Sequence, residues 1–215
     1  MRAARLPPSQ PAPTALDALA TAEAALVTLA GVARQRAAAG DLDLDDADLR
    51  LLDAMQCQDE AHYHLLASLG AVPVVAAFAL QPRSTASRAA ALAALRSLKA
   101  VALGAQMALA RGLAGAEDAA LVETIFAMGA VEGSHEALLR ARLGEEPAAG
   151  RAFLPWRFAD PLDALSALAE AGLLDDTPDA VPYPGPLERR CAGVFGLVPQ
   201  TTEDELRWDE ITIGA

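Results

Sequence analysis

Two short motifs place a carboxylate three residues before a histidine: Asp59 with His62, and Glu132 with His135. Residues three apart on a helix lie on the same face, so each pair could bind one metal ion. Each pair also interrupts an apolar stripe whose steps alternate between three and four residues, which is typical of a core-facing helix. The stripes contain Leu52, Met55, Leu66 and Leu69 around the first pair, and Leu121, Ile125, Met128 and Leu139 around the second.

Two further stripes carry polar residues near their middle. Glu23 lies between Leu19 and Leu26, and Lys99 lies on the same stripe as Gln106. If the four stripes face one another, a single buried layer collects Glu23, Asp59, His62, Lys99, Glu132 and His135. Charged groups in a core must pair, become neutral or bind a metal, and these donors suit iron, manganese or zinc. The alternative is a hydrogen-bonded network without metal, in which both histidines are structural.

The stripes require four long helices to position them. Capping residues and helix stops predict four helices, with Thr14 as the first N-cap and Gly40 as the first stop. They span about residues 14–39, a start within the acidic stretch 41–50 to about residue 69, 84–114 and 116–144. Ala and Leu dominate the composition and aromatic residues make up only 4% of the chain, which favours helix over strand. We therefore predict an all-α protein, with an antiparallel four-helix bundle over residues 14–146.

The ends of the chain differ from the bundle. Residues 1–13 are rich in proline, and we expect a flexible tail there. Residues 147–215 are punctuated by proline and contain both tryptophans. We predict one short helix in this extension, over residues 160–171 with Asp160 as its N-cap. We expect the extension to pack on the bundle or on a partner subunit.

Charge and cysteine content restrict the possible binding partners and the location of the protein. The formal net charge of -12 argues against binding to nucleic acid or to an anionic membrane surface, since both need a basic protein surface. Cys57 and Cys191 lie far apart and form no CxxC motif, so we predict two buried thiols in a reducing compartment. We predict that no apolar run is long enough to span a bilayer. Together these features predict a cytoplasmic protein.

Several segments resemble the ferritin-like superfamily, most closely its bacterial desiccation-related branch. The segments are LDALATAEAALVTLA, QDEAHYHLLASLGA, LKAVALGAQMALA and VEGSHEALLRARLGEEP, followed by AFLPW. The resemblance covers roughly residues 14–160, and the segment containing Glu132 and His135 is its most specific part.

The resemblance implies a two-metal site with one carboxylate from each of helices 1 and 3 and a Glu-x-x-His motif from each of helices 2 and 4. Glu23 matches the helix 1 ligand, and Glu132 with His135 matches the helix 4 motif. His62 matches the helix 2 histidine, with Asp59 where glutamate is usual. Glu60 is a competing candidate, but the stripe directs Asp59 inward and Glu60 outward, so Asp59 is favoured.

Lys99 departs from the pattern, because it occupies the position of the helix 3 carboxylate. A protonated lysine cannot bind a metal and repels a nearby cation. We expect Lys99 to take the place of one metal ion and to pair with Glu132 or Asp59. The site is then degenerate, with no metal or with one iron or manganese ion, and oxygen-activating di-iron chemistry is not expected.

Two functions follow from this interpretation. The first is a non-catalytic, stress-related structural or interaction protein that forms a homodimer. The alternative is a metal-binding protein or oxidoreductase that uses a single iron or manganese ion. No nucleophile motif surrounds any serine, which favours the non-catalytic function.

Overall fold

The computed structural model describes residues 13–114, 119–147, 157–185 and Cys191. Helices account for most of these residues. The helices are α1 (Ala15–Ala38), α2 (Asp46–Ser68), α3 (Arg88–Leu113), α4 (Ala119–Arg142) and the short α5 (Asp163–Glu170). Two strands of two residues each, β1 (Ala77–Phe78) and β2 (Val181–Pro182), pair antiparallel. The prediction of an all-α protein is confirmed, and this small sheet is an addition to it.

Side-chain caps fix where the first two helices begin. Thr14 caps α1 and Asp45 caps α2, and each forms a capping box with an aspartate three residues later. Such boxes satisfy backbone N–H groups that have no partner within the helix. Gly40 follows α1 with a φ of 80°, a left-handed conformation that glycine adopts without strain. Thr14 and Gly40 therefore act as the sequence predicts.

Two predicted boundaries are wrong by several residues. The third helix begins at Arg88 rather than near residue 84, because Pro82–Thr85 form a separate 3-10 turn and Ser87 caps α3. The short helix spans Asp163–Glu170 rather than residues 160–171. Asp160 instead accepts a hydrogen bond from the backbone N–H of Leu162 in the preceding turn. The predicted start of the fourth helix, near residue 116, lies outside the described residues.

The four long helices bury the central parts of their predicted stripes, whereas Leu69 at the end of α2 is exposed and Leu121 near the start of α4 is partly buried. α1 packs against α2 and α3, α3 packs against α4, and α2 touches α4. Every residue of α1 from Ala18 to Ala30 is buried, and many are alanines, whose small side chains allow close packing between helices. The largest core side chains come from all four helices: Leu19, Leu26, Leu52, Leu66, Leu92, Leu95, Ile125 and Leu139.

The described part of the C-terminal region lies against this core. α5 packs on α1 and α3. Just before α5, the Phe158 ring lies on Gly104 of α3, where an added Cβ would come within 2.8 Å of the ring. Glycine at position 104 therefore permits this close approach.

Cys57 and Cys191 form a disulfide that links α2 to the C-terminal region. This corrects the sequence-based prediction of two separate thiols. The two residues are 134 positions apart, and only the return of the C-terminal region to α2 brings them together. No local spacing motif could reveal such a pair.

Two helices, α1 and α3, are long and apolar enough to cross a membrane by length and composition alone. The prediction that no apolar segment is long enough to span a bilayer was therefore too strict. The qualifying segments are 72% and 67% buried within the protein, which is typical of core helices in soluble proteins, although a signal sequence near an N-terminus passes the same test as α1. Each helix also buries a charged side chain, Glu23 in α1 and Lys99 in α3.

One buried carboxylate ties three helices together at the N-terminal end of α2. Asp48 is 0% exposed and accepts hydrogen bonds from Arg88 of α3, at 2.5 and 2.8 Å, and from Arg142 of α4, at 2.7 Å. Hydrogen bonds between charged groups are stronger than neutral ones, particularly where the acceptor is shielded from water. This interaction fixes α2, α3 and α4 relative to one another.

Replacing Asp48 with alanine should lower the free energy of unfolding by about 2 kcal/mol or more, because it leaves two guanidinium groups without their shared acceptor. The matched control is Asp53→Ala, which removes the partially exposed pair with Arg34 and should cost no more than about 1 kcal/mol. Urea denaturation of both variants measures the difference. Equal losses would contradict the structural role assigned to Asp48.

Candidate metal centre

Polar side chains from all four long helices meet in one layer of the core. Four residues each contribute one donor atom, and these four atoms all lie within 4.8 Å of one another. The residues are Glu23 of α1, Asp59 and His62 of α2, and Glu132 of α4. The three carboxylates are at most 1% exposed. The structure thus brings together four of the residues that the sequence motifs single out.

Lys99 of α3 enters the same layer. Its ammonium group pairs with Asp59 Oδ1 and lies 2.9 Å from Glu132 Oε2, and its side chain is completely buried. Burial alone lowers the pKa of a lysine, but here the negative charges of Asp59 and Glu132 outweigh burial and raise the pKa of Lys99. Lys99 therefore remains a cation, paired with both carboxylates that the sequence analysis proposed as its partners.

His62 lies between two of the carboxylates. Its Nδ1 is 3.2 Å from Glu132 Oε1 and 3.6 Å from Glu23 Oε1. Burial lowers the pKa of His62, but the negative charges of Glu23 and Glu132 beside its Nδ1 raise it to about 10. Without a metal ion, His62 is therefore a second cation in the layer.

The three carboxylates differ in protonation. Burial, followed by repulsion from Glu132, raises the pKa of Glu23. Burial also raises the pKa of Asp59, despite the opposing charge of Lys99. For Glu132 the balance is reversed: burial favours the neutral form, but Lys99 and His62 lower its pKa to about 2. Glu132 is thus the fixed anion, while Glu23 and Asp59 are the groups able to hold a proton.

His135 of α4 lies at the edge of this group. Its Nδ1 is 3.7 Å from Asp59 Oδ1 and 3.9 Å from Glu132 Oε1, and its Nε2 is 2.6 Å from Gln58 Oε1. When Nε2 carries the proton and donates to Gln58, the Nδ1 lone pair faces the carboxylates paired with Lys99. Burial and the charge of Lys99 lower the pKa of His135 to about 3, so its imidazole is neutral.

The sequence did not identify Gln58 as a partner of His135. It lies off the core stripe of α2, and glutamine is too common on helices for its type to be a signal. Only the packing of α4 beside α2 reveals that the amide oxygen of Gln58 fixes the orientation of the His135 imidazole.

Glu60 lies away from this layer, but it is not exposed as the stripe predicted. Its side chain is 0% exposed, with His64 Nε2 at 3.4 Å and the sulfur of Cys191 at 3.7 Å. The outward-facing side of α2 is covered here by the C-terminal region. The prediction that Glu60 faces solvent is therefore wrong, because α2 is buried on two sides.

An apolar groove between α3 and α4 approaches the layer from the surface. Its volume is about 510 Å³, and its lining includes Leu103, Met107, Phe126 and Gln106. The amide of Gln106 donates a hydrogen bond of 3.1 Å to Glu23 Oε1. Gln106 therefore lines the groove and also contacts a carboxylate of the layer.

The donor atoms fit a divalent cation. Glu23 Oε2 and Asp59 Oδ2 are buried and have no hydrogen-bond partner among the described residues. Buried oxygen atoms left unpaired cost free energy, which a cation bound between them would remove. Three carboxylates and one imidazole form a donor set suited to manganese or iron.

Comparisons of the chain with models of protein families, with curated proteins and with solved structures found no match. The resemblance to ferritin-like proteins therefore stands on the sequence segments alone, and the geometry of the layer is an independent observation.

The raised pKa of His62 predicts how stability changes with pH in metal-free protein. A histidine with a pKa of about 10 in the folded state and 6.5 when unfolded stabilises the fold fully below pH 6.5, and this contribution is lost as pH rises towards 10. Between pH 7 and 9 we expect the free energy of unfolding to fall by roughly 1 kcal/mol per pH unit.

Denaturation of chelator-treated protein at several pH values measures this slope. The variant His62→Gln should lack most of it, whereas His64→Gln, which lies outside the layer, should retain it. An unchanged slope in His62→Gln would show that His62 is not the titrating group.

Proposed function

We propose that this chain is a ferritin-like four-helix bundle protein that binds a single divalent cation, with Lys99 in the place of a second one. The observation that carries the proposal is the convergence of Glu23, Asp59, His62 and Glu132, one donor atom from each within 4.8 Å of the others. The sequence segments that resemble ferritin-like proteins supply these residues from three different helices. Contacts among α1, α2, α3 and α4 are compatible with a bundle.

Charge balance supports one cation rather than two. The three carboxylates carry three negative charges, of which Lys99 neutralises one. One divalent ion neutralises the other two when His62 binds it as a neutral imidazole. A second divalent ion would leave a net positive charge in a buried layer, which is energetically unfavourable.

The position of Lys99 also favours one bound metal ion rather than two. Its ammonium group contacts Asp59 and Glu132, and the neutral His135 faces the same two carboxylates. In a complete two-metal site, Asp59, Glu132 and His135 would surround the second metal ion. In this chain the ammonium provides the positive charge there, while Glu23 and His62 remain available on the other side of Glu132.

The metal that fits this donor set is manganese or iron. Carboxylate oxygens are hard donors that suit manganese, and a single imidazole extends the range to ferrous iron. A bound redox-active ion would supply one-electron chemistry, and Gln106 places the apolar groove next to its ligand Glu23. The role of the protein residues is to hold the ion and to keep bulk water away from it.

A metal-free structural protein is the second candidate, favoured by the raised pKa of His62. With His62 protonated and one carboxyl group of Glu23 or Asp59 neutral, the layer is balanced without any metal. In this form the protein acts as a non-catalytic, stress-related interaction module and forms a homodimer. The two candidates differ in a measurable quantity, the metal content.

The deciding experiment measures metal bound to the full chain with the Cys57–Cys191 disulfide intact. Protein from cells supplied with iron and manganese should contain about one equivalent, and calorimetric titration of the metal-free protein should show proton release because His62 must become neutral to bind. His62→Ala should lose the ion, whereas His64→Ala should keep it. Absence of binding, with stability unaffected by chelator, would leave the structural function in place.

Lys99→Glu tests the role of the ammonium group directly. It supplies the carboxylate that the helix 3 position lacks, so we expect metal stoichiometry to rise from one equivalent to about two. Lys99→Met is the matched control, because it removes the charge without adding a ligand; we expect its second ion to bind at least about tenfold more weakly than that of Lys99→Glu. A single equivalent in Lys99→Glu would contradict the proposed place of Lys99.

A further inference from the structure

A second group of metal-binding side chains lies on a different side of α2, outside the layer just described. Cys57, Glu60 and His64 follow one another at steps of three and four, so they share one helical face. Cys191 approaches the same face from the C-terminal region. We propose that reduction of the Cys57–Cys191 disulfide converts this group into a four-ligand zinc site.

The contacts among these four residues form a continuous chain. Cys57 is bonded to Cys191, the Cys191 sulfur is 3.7 Å from Glu60 Oε2, and Glu60 Oε1 is 3.4 Å from His64 Nε2. Around a tetrahedral zinc ion, neighbouring sulfur and oxygen donors lie about 3.5 Å apart, and neighbouring nitrogen and oxygen donors about 3.3 Å apart. The two contacts fall on different oxygens of the Glu60 carboxylate, and each distance is within about 0.2 Å of the spacing between such donors on one zinc ion.

The identities of the donors select the metal. Two thiolates, one imidazole and one carboxylate satisfy the four coordination positions of zinc, and soft sulfur ligands favour zinc over manganese or magnesium. The central layer offers no sulfur, so the two sites differ in the ions they prefer. This difference makes them separable by experiment.

Three of the four donor residues are buried, and the side chain of His64 is 38% exposed. Cys57 is 4% exposed, and Cys191 and Glu60 are 0% exposed. A carboxylate removed from water costs several kcal/mol unless a positive charge or hydrogen bonds compensate it. His64 already lies beside Glu60, and a zinc ion would add a divalent charge at the position where both sulfurs meet the carboxylate.

Two aromatic rings lie beside His64. The Tyr63 ring lies 4.6 Å from the Tyr183 ring and packs edge-on against His64 at 5.7 Å. Tyr183 belongs to the segment that follows β2, so the C-terminal region covers this face of α2 at a second point. An imidazole held in this way is oriented in advance for binding.

The conversion is a balanced two-electron reaction. A dithiol reductant gives two electrons and two protons to the disulfide, which becomes two thiols while the reductant becomes a cyclic disulfide. Zinc then displaces the two thiol protons as it binds the sulfurs. A metal tie replaces the covalent tie, so α2 stays connected to the C-terminal region in reducing as well as oxidising surroundings.

Cobalt titration of the full chain tests the proposal, because thiolate ligands give Co²⁺ an intense charge-transfer absorption that oxygen and nitrogen ligands lack. Protein reduced anaerobically with a phosphine should develop this absorption with about one equivalent of Co²⁺, and Zn²⁺ should displace it. Oxidised protein should show none. This comparison uses the unmodified sequence and does not depend on how variants fold.

Variants then identify the ligands. Cys57→Ser and Cys191→Ser should each weaken or abolish the absorption, and His64→Ala and Glu60→Gln should lower Co²⁺ affinity at least about tenfold. His62→Ala is the matched control from the same helix, and it should leave the absorption intact while abolishing ion binding in the central layer. The His62→Ala variant therefore distinguishes loss of ion binding in the central layer from loss of metal binding at the cysteine site.

Two results would overturn the proposal. One is reduced protein that shows two reactive thiols but no thiolate absorption with Co²⁺. The other is an absorption whose affinity is unchanged in both His64→Ala and Glu60→Gln, which would mean that the cysteines bind metal without the carboxylate and the imidazole.

Discussion

The ammonium group of Lys99 governs the arrangement of the protein's centre. A lysine that is completely buried must face negative charge, and Asp59 and Glu132 provide it from two other helices. Those carboxylates in turn need positive charge on their remaining sides, which His62 supplies to Glu132. Helices α2, α3 and α4 are therefore held in register by electrostatics as well as by leucine packing. The same requirement limits how much additional positive charge the layer accepts.

Helical periodicity was sufficient to predict which polar residues meet in the core. The stripes of leucine and alanine fixed the direction of Glu23, Asp59, Lys99 and Glu132, and each is buried in the layer. Of Asp59 and Glu60, it is Asp59 that lies in the layer and contacts Lys99, while the choice between them as a metal ligand stays a prediction. The metal-binding role of these residues remains a prediction.

The same periodicity failed where a helix has more than one buried face. The stripe of α2 predicts that the opposite side of the helix meets water, and it therefore predicts that Glu60 lies at the surface. The C-terminal region covers that side, and its position depends on contacts between residues more than a hundred positions apart, such as Cys57 and Cys191. Helix boundaries near Pro82 and Pro161 were misplaced for a local reason: each proline begins a turn that precedes the helix.

The disulfide has a consequence for the unfolded chain that is separate from its chemistry. It closes a loop with a sequence separation of 134 residues, which includes α3, α4 and α5 as well as the second half of α2. Cross-linking a loop of this size restricts the denatured ensemble, and the loss of conformational entropy there corresponds to about 4–5 kcal/mol in the chain-entropy description. α1 lies outside the loop, so its association with the other helices remains the step that the cross-link does not assist.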